Sequence, residues 1–388
     1  MLSYNAKPRV KKSCNMKFRI YSLLFLLLFS GMTTLQSQTD YPTLEIGETT
    51  PDFSLPGIDG KIYTLEDFKS DILVIIFTCN HCPTAQTYED RIIKLVDTYS
   101  QRGVDFVAIS PNDPQSVRLD ELGYTDLGDE LEDMKIRAEY KGFNFPYLYD
   151  GETQETSKKY GPVATPHVFI FDKDRKLRYV GRVDDSEDGI TPETKYDTRD
   201  AIEAMLAWKT PETQKTKTFG CSIKWSDKHE SVKKYYEKIY HEEVNLESIG
   251  LDEIKRLIKN DSENLRLINI WATWCGPCIT EFPELAEINF MYRHRSFELI
   301  TISADNPGKD EEVLKFLRNH HASCRNYLFN NNDKYALIEA VDPNWQGAMP
   351  YSLLVKPGGE LLYAAQGTID PLEMKRKIVR VLGRYKDW

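Results

Sequence analysis

Trp271-Ala272-Thr273-Trp274-Cys275-Gly276-Pro277-Cys278 is entered by an apolar run, Leu265 to Ile270, and left by an amphipathic run, Ile279 to Tyr292. The pattern predicts a buried strand, a tight turn carrying two thiols, and a helix whose first turn holds both. Helix N-termini present unpaired N–H groups and a partial positive charge. A thiolate is stabilised there, so Cys275 is expected to ionise below the pKa of about 8.5 of a free cysteine. Pro277 suits a first turn, because it has no N–H to lose and its φ is already helical. Cys278, three residues on, shares the face of Cys275 and can close a disulfide with it. The stretch reads as a dithiol redox site.

A second C-x-x-C pair stands upstream, in Thr78-Cys79-Asn80-His81-Cys82-Pro83, after the apolar run Ile72 to Phe77. A helix is expected from about Thr84 to Ser100, with Tyr88, Ile92, Leu95 and Val96 on one face. From each dithiol the chain then repeats one order: strand, helix, short strand, proline, hairpin, closing helix. The prolines are Pro166 and Pro350, and the hairpins are His167–Phe171 with Leu177–Val180 and Tyr351–Val355 with Leu361–Tyr363. Cys79 to Pro166 spans 87 positions and Cys275 to Pro350 spans 75. Chance would have to align dithiol, strand order, proline and hairpin twice, so two copies of one unit are expected in tandem. Their expected bounds are 40–208 and 246–388. Between them, 209–245 reads as linker with a connecting helix over Lys228–Glu243, where Val232, Tyr235, Tyr236 and Ile239 recur at helical spacing.

The whole chain has 388 residues, 41% hydrophobic and 28% charged, with a net charge of −10. Its length predicts two or three domains. Its charge argues for solubility and against nucleic acid as a partner. Residues 1–38 read as an export signal, with Met16 as an alternative start. Lys17 and Arg19 precede the apolar block Ile20 to Phe29, and small or polar residues follow. The block is too short to span a bilayer. An exported chain, periplasmic or in the cell envelope, meets an oxidising space, where a C-x-x-C pair is either an oxidant or is actively kept reduced. Of seven cysteines, four form the two pairs; Cys221 and Cys324 are left in the remaining chain. Cys221 is a candidate extra thiol for the first dithiol or a buried structural cysteine, and a Cys221–Cys324 bridge is a further alternative. The two pairs are 192 residues apart, far beyond zinc-ribbon spacing, and neither is followed by the histidine of a haem attachment motif. No metal and no cofactor beyond the cysteine pairs are expected.

These motifs resemble the thioredoxin superfamily over nearly all of the mature chain. Asn269 to Cys278 with Glu281-Phe282-Pro283 is similar to the exported TlpA/ResA-like branch. Gly47-Glu48-Thr49-Thr50-Pro51-Asp52-Phe53 through Cys82 resembles the redoxin branch that includes the AhpC/TSA peroxiredoxins. The resemblance implies an α/β class: two tandem thioredoxin-like folds, each a central mixed β-sheet flanked by helices. It also implies cis bonds at Thr165-Pro166 and Met349-Pro350, facing the dithiols, and a membrane electron donor if the role is reducing.

In each site the first cysteine, at the exposed turn, is expected to attack a substrate disulfide and the second to resolve the mixed disulfide. Cys275 and Cys79 are thus the expected nucleophiles, and Cys278 and Cys82 the resolving thiols. Asn80-His81 puts an imidazole beside a thiol, whereas Gly276-Pro277 offers no side-chain charge. A cation there favours the thiolate, so the first couple is expected to be the more oxidising; otherwise His81 is a solvent-facing turn residue. Thioredoxins often bury a carboxylate six residues before the nucleophile. Here those positions are Asn269 and Leu73, and Glu281 is the candidate substitute. Trp274 completes the supporting set.

The leading expectation is an exported thiol–disulfide oxidoreductase acting on exported protein thiols and disulfides. Two alternatives stand beside it. One is a thiol peroxidase at Cys82-Pro83-Thr84, against which Cys79 occupies the place of a family threonine or serine. The other is a non-catalytic module holding client proteins in the grooves beside Pro166 and Pro350.

Overall fold

A computed structural model describes residues 41–187 and 189–384. The expected export signal lies outside the described residues. Strands β1 (Ser54–Pro56) and β2 (Ile62–Thr64) form a hairpin on the first unit. The unit continues with β3 (Ile72–Phe77), α1 (Pro83–Tyr99), β4 (Val104–Ser110), α2 (Leu131–Lys141), β5 (Tyr147–Tyr149), α3 (Glu155–Tyr160), β6 (Ala164–Thr165), β7 (His167–Phe171), β8 (Leu177–Gly181) and α4 (Asp197–Leu206). Next come β9 (Cys221–Ser222) and α5 (His229–Tyr240). The second unit comprises β10 (Glu247–Ile249), α6 (Leu251–Lys259), β11 (Leu265–Trp271), α7 (Gly276–Tyr292), β12 (Phe297–Ser303), α8 (Asp310–Asn319), β13 (Arg325–Phe329), α9 (Lys334–Val341), β14 (Tyr351–Val355), β15 (Leu361–Gln366) and α10 (Pro371–Leu382).

The first sheet has the order β5-β4-β3-β7-β8 and the second β10-β13-β12-β11-β14-β15. In both, the strand entering the dithiol is central. It pairs in parallel with the strand after the dithiol helix and antiparallel with the strand after the proline. Every residue of β3 and of β11 is buried. Strands covered on both faces read as continuous apolar runs, and Ile72–Phe77 does so. Both peptide bonds Thr165-Pro166 and Met349-Pro350 are cis.

Helices α3 and α9, between the short strand and the proline of each unit, were not expected, and two further parts of the chain differ from the sequence expectation. Helix α7 was expected to bury one face. It buries Glu281, Phe282, Leu285, Ala286, Ile288, Asn289, Phe290, Met291 and Tyr292, because it is wedged between its own sheet and the first unit. Leu285, Ile288 and Met291 share a cluster with Leu119 and Leu122 of the first unit, while Ala286 and Phe290 meet Ile239, Tyr235 and Tyr236 on α5. Polar contacts close the seam: Tyr292 Oη donates to the Thr125 carbonyl at 2.7 Å, and Arg295 to the Gly123 carbonyl at 2.9 Å. The buried Asp126 carboxylate pairs with Arg376 at 3.2 Å and Arg384 at 2.7 Å. The second difference is in the stretch read as linker. The helix expected over Lys228–Glu243 is α5, but Val180 N–H donates to the Gln214 carbonyl and Thr216 N–H to the Val180 carbonyl. β9 then pairs antiparallel with β6. The chain from 214 to 226 is therefore built into the first unit.

Candidate active sites

The two dithiols have the same spacing and different helix starts. At the second, Cys275 caps α7, its Sγ accepts the Cys278 N–H at 3.3 Å, and Pro277 lies in the first turn. At the first, the proline follows the second cysteine. Proline is favoured at the first helical position, so α1 begins at Pro83 and Cys82 becomes the cap. Cys82 Sγ accepts N–H groups from Ala85 at 3.4 Å and from Cys221 at 3.3 Å. Cys79 stands a turn outside the helix, with Sγ 3.1 Å from Thr165 Oγ1.

This reverses the expected order at the first site. Neither cysteine is at an exposed turn; both are buried. Burial opposes ionisation of Cys82. Hydrogen bonds from the Cys221 and Cys79 thiols, the His81 charge and the Ala85 N–H outweigh it, and the Cys82 pKa falls well below the ordinary thiol range. Cys79 moves the other way, pushed well up by burial, by its hydrogen bond to Cys82 and by the negative charge of Asp129. The hydrogen bond to Cys82, burial and the Cys82 charge likewise raise Cys221. These directions, with the helix terminus and its donors at Cys82, favour the thiolate there, whereas the sequence expectation gave the attacking role to Cys79.

His81 is not a solvent-facing turn residue. It is buried, with Nδ1 2.5 Å from Asp129 Oδ2. Burial favours the neutral ring, but the Asp129 charge and hydrogen bond prevail and its pKa is raised. Asp129 is held below the usual carboxylate range: burial works against this, and His81 and Asn112 outweigh it. Cys79, His81 and Asp129 bring a thiol, an imidazole and a carboxylate within 4.8 Å of one another, a set of metal-ligand types. Both Asp129 oxygens are already engaged, Oδ1 by the Asn80 and His81 N–H groups and Oδ2 by His81 Nδ1 and Asn112 Nδ2.

At the second site Cys275 and Cys278 are joined in a disulfide. Trp274 beside it is 67% exposed, a large apolar surface at the rim. Trp271 is fully buried against Phe282 and Phe316. Glu281 is buried one turn after Cys278 on α7. Its Oε1 accepts from Asn269 Nδ2 at 3.3 Å, and Asn269 also donates to Ser352 Oγ at 3.0 Å. Burial, opposed only by the Ile369 N–H, pushes the Glu281 carboxyl up to about 7. A buried carboxyl thus stands beside Asn269 after all, reached from the following helix. Pro166 and Pro350 each begin the approach to the strand paired with the dithiol strand.

Cys221 and Cys324 are separate free thiols, and no bridge joins them. Cys221 packs on Cys79 and Cys82. Cys324 lies within the second unit, where burial pushes its thiol up to about 12. His320 and His321 stack on Phe316 and Tyr240. Sequence reasoning missed Asp129 and Asn112. They reach His81 from just after β4 and from the loop before α2, and nothing in their local pattern marks them.

Residues 46–180 match the AhpC/TSA family and residues 263–361 a thioredoxin-like family. Among curated proteins, the chain is similar to the thiol-disulfide oxidoreductase ResA of Bacillus thuringiensis subsp. konkukian (strain 97-27). The two are 26% identical over 167 residues, which is 43% of this chain and 87% of that protein. ResA of Geobacillus thermodenitrificans (strain NG80-2) is 24% identical over 172 residues, 44% of this chain and 89% of the relative. Among solved structures, an uncharacterized conserved protein from Geobacillus kaustophilus is 39% identical, with TM-score 0.43, over 48% of this chain and 95% of that one. A hypothetical protein from Sinorhizobium meliloti 1021 is 31% identical, with TM-score 0.43, over 48% and 97%.

Proposed function

We propose, for a chain that belongs to the thioredoxin superfamily as two tandem domains, that it is an exported thiol–disulfide oxidoreductase with two working dithiols. The observation that carries this is the placing of one cysteine of each pair at a helix N-terminus with its partner within reach. The Cys275 thiolate attacks a substrate disulfide and Cys278 resolves it, with Glu281 positioned to take up and return the proton. At the first site Cys82 attacks and Cys79 resolves, and His81 supports the thiolate. The chemistry needs no group beyond the cysteines. Similarity to the thiol-disulfide oxidoreductase ResA supports the oxidoreductase reading; export, protein thiols as the substrate class and a membrane electron donor are parts of the proposal. The proposed domain bounds are 246–388 for the second domain and 40–208 for the body of the first, to which residues 214–226 add β9.

Reduction of insulin disulfides by the full chain, with dithiothreitol as reductant, tests this. Cys275→Ser is expected to remove most turnover, and Cys275→Ser/Cys82→Ser the rest. Unchanged turnover in the double variant would leave only a client-binding role.

One observation favours a second reading for the first domain. A capped cysteine with a depressed pKa, within the segment that matches the AhpC/TSA family, is what a peroxidatic thiol requires. Peroxide consumption that disappears in Cys82→Ser and persists in Cys275→Ser would support it.

A further inference from the structure

Thr165, just before Pro166, touches both thiols of the first site. Its hydroxyl is 3.1 Å from Cys79 Sγ, and its carbonyl oxygen lies 3.4 Å from Cys82 Sγ, which donates to it only as the protonated thiol. An extended polypeptide recognises such a segment by adding main-chain hydrogen bonds along a free edge. That edge is taken. Ala164 pairs with Ser222 and Thr165 with Cys221, antiparallel. In the second unit the same position, Ala348–Met349, has no strand partner among the described residues.

The occupant of the first edge is anchored from both sides. Gly220, at φ +132°, passes so close to Thr165 that an added Cβ would lie 2.0 Å from its carbonyl oxygen. Beyond Ser222, the Lys224 N–H donates to Asn112 Oδ1 at 2.9 Å and the Lys224 carbonyl accepts from Gln154 Nε2 at 2.9 Å. Asn112 in turn donates to Asp129 Oδ2, the partner of His81. A buried polar chain thus ties the strand to the dithiol. The strand also carries a thiol: Cys221 donates its N–H to Cys82 Sγ and packs on both cysteines.

We propose that the first site is a three-thiol centre. The chain's own strand fills the edge where a polypeptide would add, and Cys221 exchanges with Cys82, so that a Cys82–Cys221 disulfide is one of its oxidised forms. The proposal rests on Cys82 being the attacking thiolate. That thiolate attacks a disulfide RSSR′, forming a Cys82–SR bond and releasing R′S⁻, which takes a proton from solvent. The Cys221 sulfur then attacks Cys82 Sγ. The Cys82–SR bond breaks, RS⁻ leaves with the bonding pair, and it takes up the proton that Cys221 loses. The substrate gains two electrons as two thiols, and Cys82 and Cys221 lose two as one disulfide. Attack of Cys79 on Cys82 moves the bond to Cys79–Cys82 and returns Cys221 to the thiol.

The test uses the full chain as Cys79→Ser, oxidised with diamide, a small two-electron acceptor, and mapped by non-reducing peptide mass spectrometry. The expected product is a Cys82–Cys221 linkage beside Cys275–Cys278. Free Cys82 and Cys221, or Cys82 linked between chains, would overturn the proposal. In a second variant, Gly220→Ala in the Cys79→Ser background, strain and the clash with Thr165 are expected to lower the docked strand's population and the linkage yield about tenfold. An unchanged yield would also overturn it. Insulin turnover through Cys275, read in the same preparations, separates the two readings. Its loss in the parent chain counts against the oxidoreductase reading, while a missing linkage with turnover intact counts against the three-thiol centre.

Discussion

Glu281→Gln converts the buried carboxyl one turn after Cys278 into a neutral group of the same shape. The folded chain lifts that carboxyl from 4.5 to about 7, by burial. The ionised form is therefore less favourable in the folded chain than in the unfolded one by about 3 kcal/mol, taken as an upper bound. The sign follows from linkage. Below pH about 4.5 the group is protonated in both states and costs nothing. Between about 4.5 and 7 the unfolded chain ionises first and stability falls; above about 7 the folded chain carries the buried charge and the full destabilisation is present. Glu281→Gln should match the parent at pH 4.5 and exceed it by up to about 3 kcal/mol at pH 8. Urea unfolding of the oxidised full chain at both pH values measures this. A gap that is the same at pH 4.5 and pH 8 would refute the reasoning. So would a variant less stable than the parent at pH 8. The same variant should slow insulin reduction at Cys275, since the proposed proton carrier, one turn after Cys278, is gone.

Three further outcomes are expected. His81→Gln should raise the pH midpoint of Cys82 alkylation by iodoacetamide by about 1 unit, since the imidazolium is one of the groups favouring that thiolate. The same change should make the first couple less oxidising by about 30 mV in glutathione equilibration, and a midpoint that stays in place would sever His81 from the thiolate. Asp126→Ala leaves Arg376 and Arg384 without their buried partner across the seam between the units. It should destabilise the chain by about 3 to 5 kcal/mol in urea unfolding, whereas Arg102→Ala, at the exposed Arg102–Glu203 pair, should cost under about 1 kcal/mol.

Much of this architecture is legible in the residues because its signals are local. Ile72–Phe77 and Leu265–Trp271 are apolar throughout since both faces of each strand are covered, and the dithiols, prolines and hairpins recur in order. The shift of the helix start was also written in the chain. Pro83 stands after the second cysteine and Pro277 between the cysteines, but reading both motifs by their spacing alone gave Cys79 the role that the cap gives to Cys82. Other features depend on distant partners. Cys221 meets Thr165 across 56 residues of chain, and the polar stretch carrying it has neither strand alternation nor helical period. The burial of Phe290 and Tyr292 needs the surfaces of α5 and the first unit, which no local pattern reveals.

The account stands most directly on which sulfur captures a substrate. Mixed disulfides with insulin should be trapped in the full chain as Cys278→Ala, and with glutathione disulfide as Cys79→Ala/Cys221→Ala, then located by peptide mapping. Adducts are expected on Cys275 and on Cys82. The absence of adducts in both, or capture by Cys79 in a Cys82→Ala chain and none by Cys82, would contradict it.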